Sequence, residues 1–570
     1  MNRVLIALLL TSTVWAEEPV DLILVGGKIV TVDSSFRVDS AMAVRDGKVV
    51  RTGTDEQIMQ LPHDSALVVQ LDGKMVLPGL IDSHTHPTGA SRFEADHEVP
   101  SMETIQDVLD YVKARTKVVP KGEWINLSQV FITRLREQRF PTRKELDSVA
   151  PDHPVSFRTG PDGSANSLAL NANGIDREFA AKHADNVMVD DSGEPNGILR
   201  KASAVLKVRG SSSKKLSEPE QDDRLTALFR DYNSVGITAT IDRNCNDSAH
   251  KQYVRMLDAC RLSVRIRMSR GLSPRQDLKT IEARLDAFAE DDLFTDPKPR
   301  LGIIGVKCFL DGGMLTGSAF FRQPWGISRI YGIEDPAYRG MQYIETERVE
   351  ELVRACAQRG LAFTAHCQGD AAVEALIGVY EKVNESVPIS PTRSSVTHSS
   401  FMSRKAIDGA ARLGIGVDLQ PAWLYLDART LLAQFGEERL NYFIPLKSLM
   451  AAGVKAGGGS DHMQKIGSYR SVNPYNPFLG MWIAATRSAR WYDEPVHLEQ
   501  ALSRKQMIQF YTINNAWLMR MEKEIGSLEP GKRADFVIID RDLLTCSDEN
   551  IRDTKVISTW MDGQKLTPTK

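Results

Sequence analysis

The stretch LGIIGVKCFLDGG, residues 301–313, decides the fold. Ile303, Ile304, Val306, Phe309 and Leu310 make an apolar, partly β-branched run, and Asp311-Gly312-Gly313 ends it as a turn. A run of this kind reads as a strand buried on both faces, the texture of a parallel sheet covered by helices. In its middle sits Lys307, which is costly there unless something neutralises it.

Seven further runs share this texture: GLIDSHTH (79–86), GITATIDRN (236–244), LSVRIRMS (262–269), LAFTAHCQ (361–368), SSVTHSS (394–400), GIGVDLQP (414–421) and VKAGGGSD (454–461). Helical patterns such as ETERVEELVRACAQRG lie between most of them, which predicts βα units. Eight such strands close a (β/α)8 TIM barrel, an α/β fold. The gap of about 150 residues between the first two strands is too long for one connection. Residues 90–230 are therefore expected to form an inserted cap region, with 210–223 (GSSSKKLSEPEQDD) an exposed loop.

Short β-rich runs mark both ends of the chain, VDLILVGGKIVTVD and SAMAVRDGKVVRTG near the start, GKRADFVIIDRD and VISTWMDGQKL near the end. They predict one β-sandwich domain built from both chain termini, residues 17–75 with 522–570, leaving 76–89 and 231–521 for the barrel. The first residues, MNRVLIALLLTSTVWAEEP, carry Arg3, an apolar Val4–Leu10 core and Val14-Trp15-Ala16 before Glu17. This is the pattern of a signal peptide, residues 1–16, and predicts an exported protein, periplasmic or secreted. The apolar part is too short to span a membrane comfortably.

The 570 residues are 42% hydrophobic and 25% charged, with a formal net charge of −3 and no basic run. That balance argues against nucleic acid or an anionic membrane surface as partner. Six scattered cysteines form neither a disulfide framework nor a C-x-x-C metal site, and one or two disulfides remain open.

Chemistry in a barrel gathers where the strands end. The first strand ends in His84-Thr85-His86, and alternation puts both imidazoles on one face, as two ligands of one metal require. Lys307 lies on the fourth strand, His366 on the fifth, His398 on the sixth and Asp461 at the end of the eighth. Each alone reads more simply as a core or turn residue. Of only 11 histidines, however, four fall at predicted strand ends, and the joint pattern favours metal chemistry. Cys308, Cys367 and His462 neighbour these residues but should face away from them.

These motifs resemble the amidohydrolase superfamily: PGLIDSHTHP, the later His366 and His398, GGGSD, and the closing GSLEPGKRADFVIID. FPTRKELDSVAPDHPVSFRTGPDGSANSLAL, VKCFLDGG and TAHCQGDAAVEAL are similar to amidohydrolase family 3, the YtcJ-like metal-dependent hydrolases, over essentially the whole mature chain. The resemblance implies two divalent metal ions, His84 and His86 binding the first with Asp461, His366 and His398 binding the second. It places Lys307 where binuclear members carry a carboxylated lysine as bridging ligand. Two divalent cations bring about four positive charges; a carbamate, the aspartate and a hydroxide reduce that to about one. Nitrogen and oxygen donors suit zinc, and also accept Mn, Fe or Ni.

The implied activity is hydrolysis of an amide-like, non-peptide carbon–nitrogen bond by attack of a metal-activated hydroxide. Asp461 would carry the proton, and His398 would help hold the carbonyl oxygen if a metal is missing; the implied partner is a small-molecule substrate, and a homodimer is compatible with the resemblance. An ester, lactone or cyclic amide is the alternative substrate class, and a catalytically silent binding relative the alternative of another kind. Asp311, Arg322 and Trp325 after the fourth strand, and Gln420 and Trp423 after the seventh, are candidates to line the substrate pocket. The chain departs from the family at Ser164, where members often have histidine, at Thr397, where they have glutamate, and at DHMQ (461–464), where D-x-P-V is usual. These changes touch the implied pocket, so no relative's substrate transfers on this basis.

Overall fold

A computed structural model describes residues 18–128, 130–209 and 215–566. The expected signal peptide lies outside the described residues. Eight parallel strands form one sheet in strict chain order: β1 (Leu80–Thr85), β2 (Ile237–Cys245), β3 (Arg265–Gly271), β4 (Leu301–Phe309), β5 (Ala362–Cys367), β6 (Ser395–His398), β7 (Gly416–Leu419) and β8 (Ala456–Gly458). All eight coincide with the predicted runs. Helices such as Thr346–Gln358 and Asp370–Asn384 cover the outside with Leu352, Val353, Leu376 and Ile377 turned inward.

The barrel closes just past β8. Asp461 N donates to His84 O and His86 N to His462 O, both at 2.8 Å. This approach is too close for a side chain: a Cβ on Gly459 would lie 2.8 Å from Ser83 Oγ and 2.9 Å from His84 Cβ. Gly459 is thus a requirement of closure. Buried Asp82 ties the seam from within, accepting from His84 N at 2.9 Å and Ser460 N at 3.1 Å.

Two further sheets pack at the other end of the barrel. Leu22–Val25, Ala41–Arg45, Lys48–Gly53 and Leu67–Gln70 make a four-stranded sheet. A six-stranded sheet joins the termini, because Phe536–Ile539 pairs antiparallel with Met75–Pro78. Leu24, Met42, Val76, Ile538 and Trp560 fill the space between the two sheets. Arg265, the first residue of β3 and 0% exposed, joins them to the barrel. Its Nε and Nη2 donate to Asp535 Oδ2 and Oδ1 at 2.6 and 2.8 Å, and Nη2 also to Asp562 at 2.6 Å.

Between β1 and β2 the chain builds a five-stranded sheet, with Val155–Thr159 and Asp162–Ala165 as a central hairpin. Of the expected 210–223 loop, residues 210–214 lie outside the described residues, and the rest corrects the expectation. Ser217 caps a helix, Glu218–Ser234, with Glu220 completing a reciprocal capping box. Leu225, Leu228 and Phe229 of this helix pack against Ile237 and Ile266 of the barrel. The S-x-x-E signature was present in the sequence, masked by the acidic run that follows it. All six cysteines are unpaired thiols, and Cys308 and Cys367 are buried in the core. Among the described residues no helix is long and apolar enough to cross a membrane.

Candidate metal centre

The C-terminal ends of the strands bring three ligand atoms together. His84 Nε2 lies 3.3 Å from His86 Nε2 and 3.3 Å from Asp461 Oδ1, and His86 Nε2 lies 3.1 Å from the same oxygen. Donors about 2.0–2.1 Å from a tetrahedral ion stand about 3.3 Å from one another. The trio therefore has the spacing of three ligands around one ion.

Outer hydrogen bonds set the ring states. His84 Nδ1 donates to Asp418 Oδ1 at 2.9 Å, leaving the Nε2 lone pair free. Gln420 Nε2 donates to the same carboxylate at 3.1 Å, so its Oε1 faces His398 and accepts from Nδ1 at 2.8 Å. His398 Nε2 is then a lone pair as well, suited to bind an ion rather than to donate to a carbonyl oxygen. Burial, aided by neighbouring positive charge, pushes His84 and His398 well below the ordinary imidazole range and His366 to about 3, all toward the neutral form that ligates. Burial opposes a proton on His86 too, but hydrogen bonds to Asp242 and Asp461 prevail and raise it to about 9. The field that favours a proton there also favours a metal cation.

Lys307 is 1% exposed on the inner face of β4. Among the described residues its ammonium makes no hydrogen bond or ion pair; its Nζ lies 5.1 Å from the centre of the Phe309 ring. Burial lowers it to about 8, against the pull of Asp418 and Asp461. His366 stands apart from the trio: its Nε2 is 3.4 Å from Gly312 O, and its ring is edge-on to His398 at 4.5 Å. Two of the candidate ligand residues have left-handed backbone, His398 at φ 73° and Asp461 at φ 55°. Such conformations cost on the order of 1–3 kcal/mol each and persist where surrounding structure imposes them, as barrel closure does at Asp461.

The five candidate pocket residues have other tasks. Asp311 accepts three backbone N–H groups, from Gln368, Gly369 and Phe320, and clamps the loops after β4 and β5. Arg322 pairs outward with Asp370 and Glu374. Trp325 is buried among Phe321, Tyr331 and Phe435 with its Nε1 on Ala319 O. Gln420 orients His398, and Trp423 lies against the His398 ring at 4.9 Å. Each of the five thus has partners within the protein. Ser164 is buried in the inserted sheet, and Thr397 donates to Asp418 Oδ2 at 3.1 Å. His462 faces away, bonded to Tyr232 Oη at 2.7 Å.

Sequence reasoning missed Asp242, Arg243, Asp418 and Phe309. Arg243 Nη2 lies 3.2 Å from Asp418 Oδ2, so Asp418 serves His84, Gln420, Thr397 and Arg243 at once and is committed as a support. Asp242, Arg243 and Asp418 carried the same signal as Lys307, a charge inside a strand buried on both faces. Phe309, the one exposed residue of β4 at 44%, presents an apolar face beside Lys307 and His366.

A parallel barrel with this donor set at its mouth defines a class: a barrel enzyme with residues able to hold a metal ion at its strand ends. N-substituted formamide deformylase of Arthrobacter pascens is 27% identical over 557 residues, covering 95% of this chain and 97% of that protein. YtcJ of Bacillus subtilis is 24% identical over 545 residues, covering 95% and 98%. The crystal structure of an uncharacterized metal-dependent hydrolase from Pyrococcus horikoshii matches the fold with a TM-score of 0.65 at 21% identity, covering 92% of this chain and 99% of that one. The chain belongs to the amidohydrolase family, which matches residues 67–566. It is a hydrolase acting on carbon–nitrogen bonds other than peptide bonds.

Proposed function

We propose that the protein hydrolyses an amide-like, non-peptide carbon–nitrogen bond of a small molecule, using a zinc-class ion held by His84, His86 and Asp461. The observation that carries this reading is the trio of donors within 3.3 Å of one another. A bound ion supplies Lewis acidity, polarising a carbonyl and acidifying water. The remaining work falls to the chain. Asp461 takes a proton as the water oxygen bonds to the carbonyl carbon, and returns it to the nitrogen as the carbon–nitrogen bond breaks. Asp418 and Gln420 hold His84 and His398 in their ligating tautomers. Phe309 offers a dry wall to an apolar substituent of the substrate.

A second ion at His366 and His398, with carboxylated Lys307 as shared anion, extends the reading. Its support is the burial of a lysine without a polar partner beside Asp418 and Asp461. The ammonium first gives up a proton, and the neutral amine then adds to CO2 with loss of a second, turning a buried cation into an anion. Lys307→Ala is expected to lower metal occupancy, with part restored by a short-chain carboxylate such as acetate. Unchanged metal content would contradict the bridging role. The segment MNRVLIALLLTSTVWA supports export as the location.

A panel of N-formyl and N-acyl amines, with matched esters, lactones and cyclic amides, tests the reaction on zinc-loaded protein. Amide turnover that chelation abolishes and zinc restores is the expected result. Preference for esters or lactones would move the substrate class, and silence toward every compound at full metal loading would overturn the reading.

A further inference from the structure

Asn473, buried in the loop after β8, has every polar atom of its side chain committed. Its Oδ1 accepts from Arg134 Nη1 at 3.0 Å and from Trp423 Nε1 at 3.1 Å. Guanidinium and indole N–H groups only donate, so the oxygen must face them and the amide nitrogen must face the other way. There Nδ2 lies 2.8 Å from the backbone oxygen of Asp461 and 3.4 Å from its Oδ2. The carboxamide has one orientation, and that orientation holds the strained residue that brings Oδ1 to the two histidines.

Arg134 comes from the inserted region, at the end of the short turn Ile132–Arg134, and is 4% exposed. Its Nε and Nη2 fork onto Asp427 Oδ1 and Oδ2 at 2.8 and 2.7 Å, on the helix Pro421–Phe435 that follows β7. Its Nη1 also reaches Val472 O at 2.6 Å. One side chain thus pins the inserted region to the helix after β7 and to the loop after β8. Trp423, from the same helix, completes the connection with its ring against His398. Asn473 joins the inserted region to Asp461 directly and to His398 through Trp423. The seam is not packed shut: a cavity of about 780 Å³ lies beside it, lined by Met102, Phe131, Arg134, Lys465, Val472 and Arg490 among others.

We propose that Asn473 is a positioning residue for Asp461 and that, gripped by Arg134, it couples the seating of the inserted region to the geometry of the metal centre. The inserted region then helps to complete the centre. The inference rests on the reading of Asp461 as ligand and proton carrier.

The test measures zinc affinity by chelator competition and the visible absorption of the cobalt-substituted protein, alongside kcat and KM. Asn473→Ala is expected to weaken zinc binding about 10–100-fold, the usual effect of removing an outer-shell partner. It should also alter the cobalt spectrum and lower kcat more than it raises KM. Arg134→Lys retains the charge but cannot serve Asp427 and Asn473 together, so it should move the same readouts the same way, by less. Gln138→Ala is the control, since Gln138 bonds Thr430 across the same seam at 2.5 Å without leading to Asn473. It should lower thermal stability and leave zinc affinity and spectrum unchanged.

Wild-type zinc affinity and cobalt spectrum in Asn473→Ala would overturn the proposal. So would Gln138→Ala reproducing its effects, since general loosening of the seam would then suffice. Should the loaded wild-type protein turn over no substrate, the functional reading fails while the affinity and spectrum still decide the role of Asn473.

Discussion

Replacing Asp461 by asparagine is expected to leave the barrel folded and an ion bound while lowering kcat about 10²–10⁴-fold, the range for losing a positioned acid–base group. Asparagine keeps an oxygen where Oδ1 meets the two histidines, and it tolerates the left-handed backbone at φ 55° better than most residues. The bond that closes the barrel, from the backbone N of residue 461 to His84 O, does not involve the side chain. What disappears is the capacity to accept a proton and return it. Steady-state kinetics and metal content measured on the same sample separate loss of the ion from loss of the proton carrier. Wild-type turnover by the loaded variant would remove Asp461 from that role.

The second large effect concerns stability, at the opposite end of the barrel. Arg265→Ala is expected to destabilise the protein by about 3–5 kcal/mol, because it leaves the carboxylate of Asp535 buried without its partner. Asp562 suffers less, since Arg300 and Arg533 still reach it at 3.3 and 3.0 Å. Replacing both members, Arg265→Met with Asp535→Leu, should recover most of the loss by removing the stranded charge along with its partner. Thermal unfolding followed by circular dichroism reads both variants. A single variant that melts with the wild type would show that the fork does not hold the barrel to the terminal sheets.

The barrel was legible because its strands are buried on both faces and read as short apolar runs, a pattern set by local composition. The same alternation put His84 and His86 on one face, since a period of two leaves no other arrangement. Charges inside such strands mark the site at Lys307, Asp242, Arg243 and Asp418, whereas Arg265 at the start of β3 serves the terminal sheets instead. Their signal is the same in each case, a charge where both faces of the strand are buried. What stayed hidden depends on contacts between distant segments. Asp311, Arg322 and Trp325 lie in a loop whose course is set by its packing on the barrel, and no local pattern says that Trp325 turns into an aromatic cluster or that Asp311 spends its oxygens on backbone amides. Gln420 and Trp423 lie where the sequence places them, and their contacts with His398 depend on side chains from different βα units meeting at the barrel mouth. The link from Arg134 to Asp461 joins residues more than three hundred positions apart, and nothing near either one announces it.

The central claim is that these strand ends form a metal centre. The direct test is elemental analysis by mass spectrometry of the purified protein, after zinc loading and removal of free ion, beside the double variant His84→Ala, His86→Ala. The account predicts tightly held zinc in the wild type and its loss in the variant with the barrel still folded. A wild-type protein that holds no transition metal, or a double variant that holds as much, would contradict it.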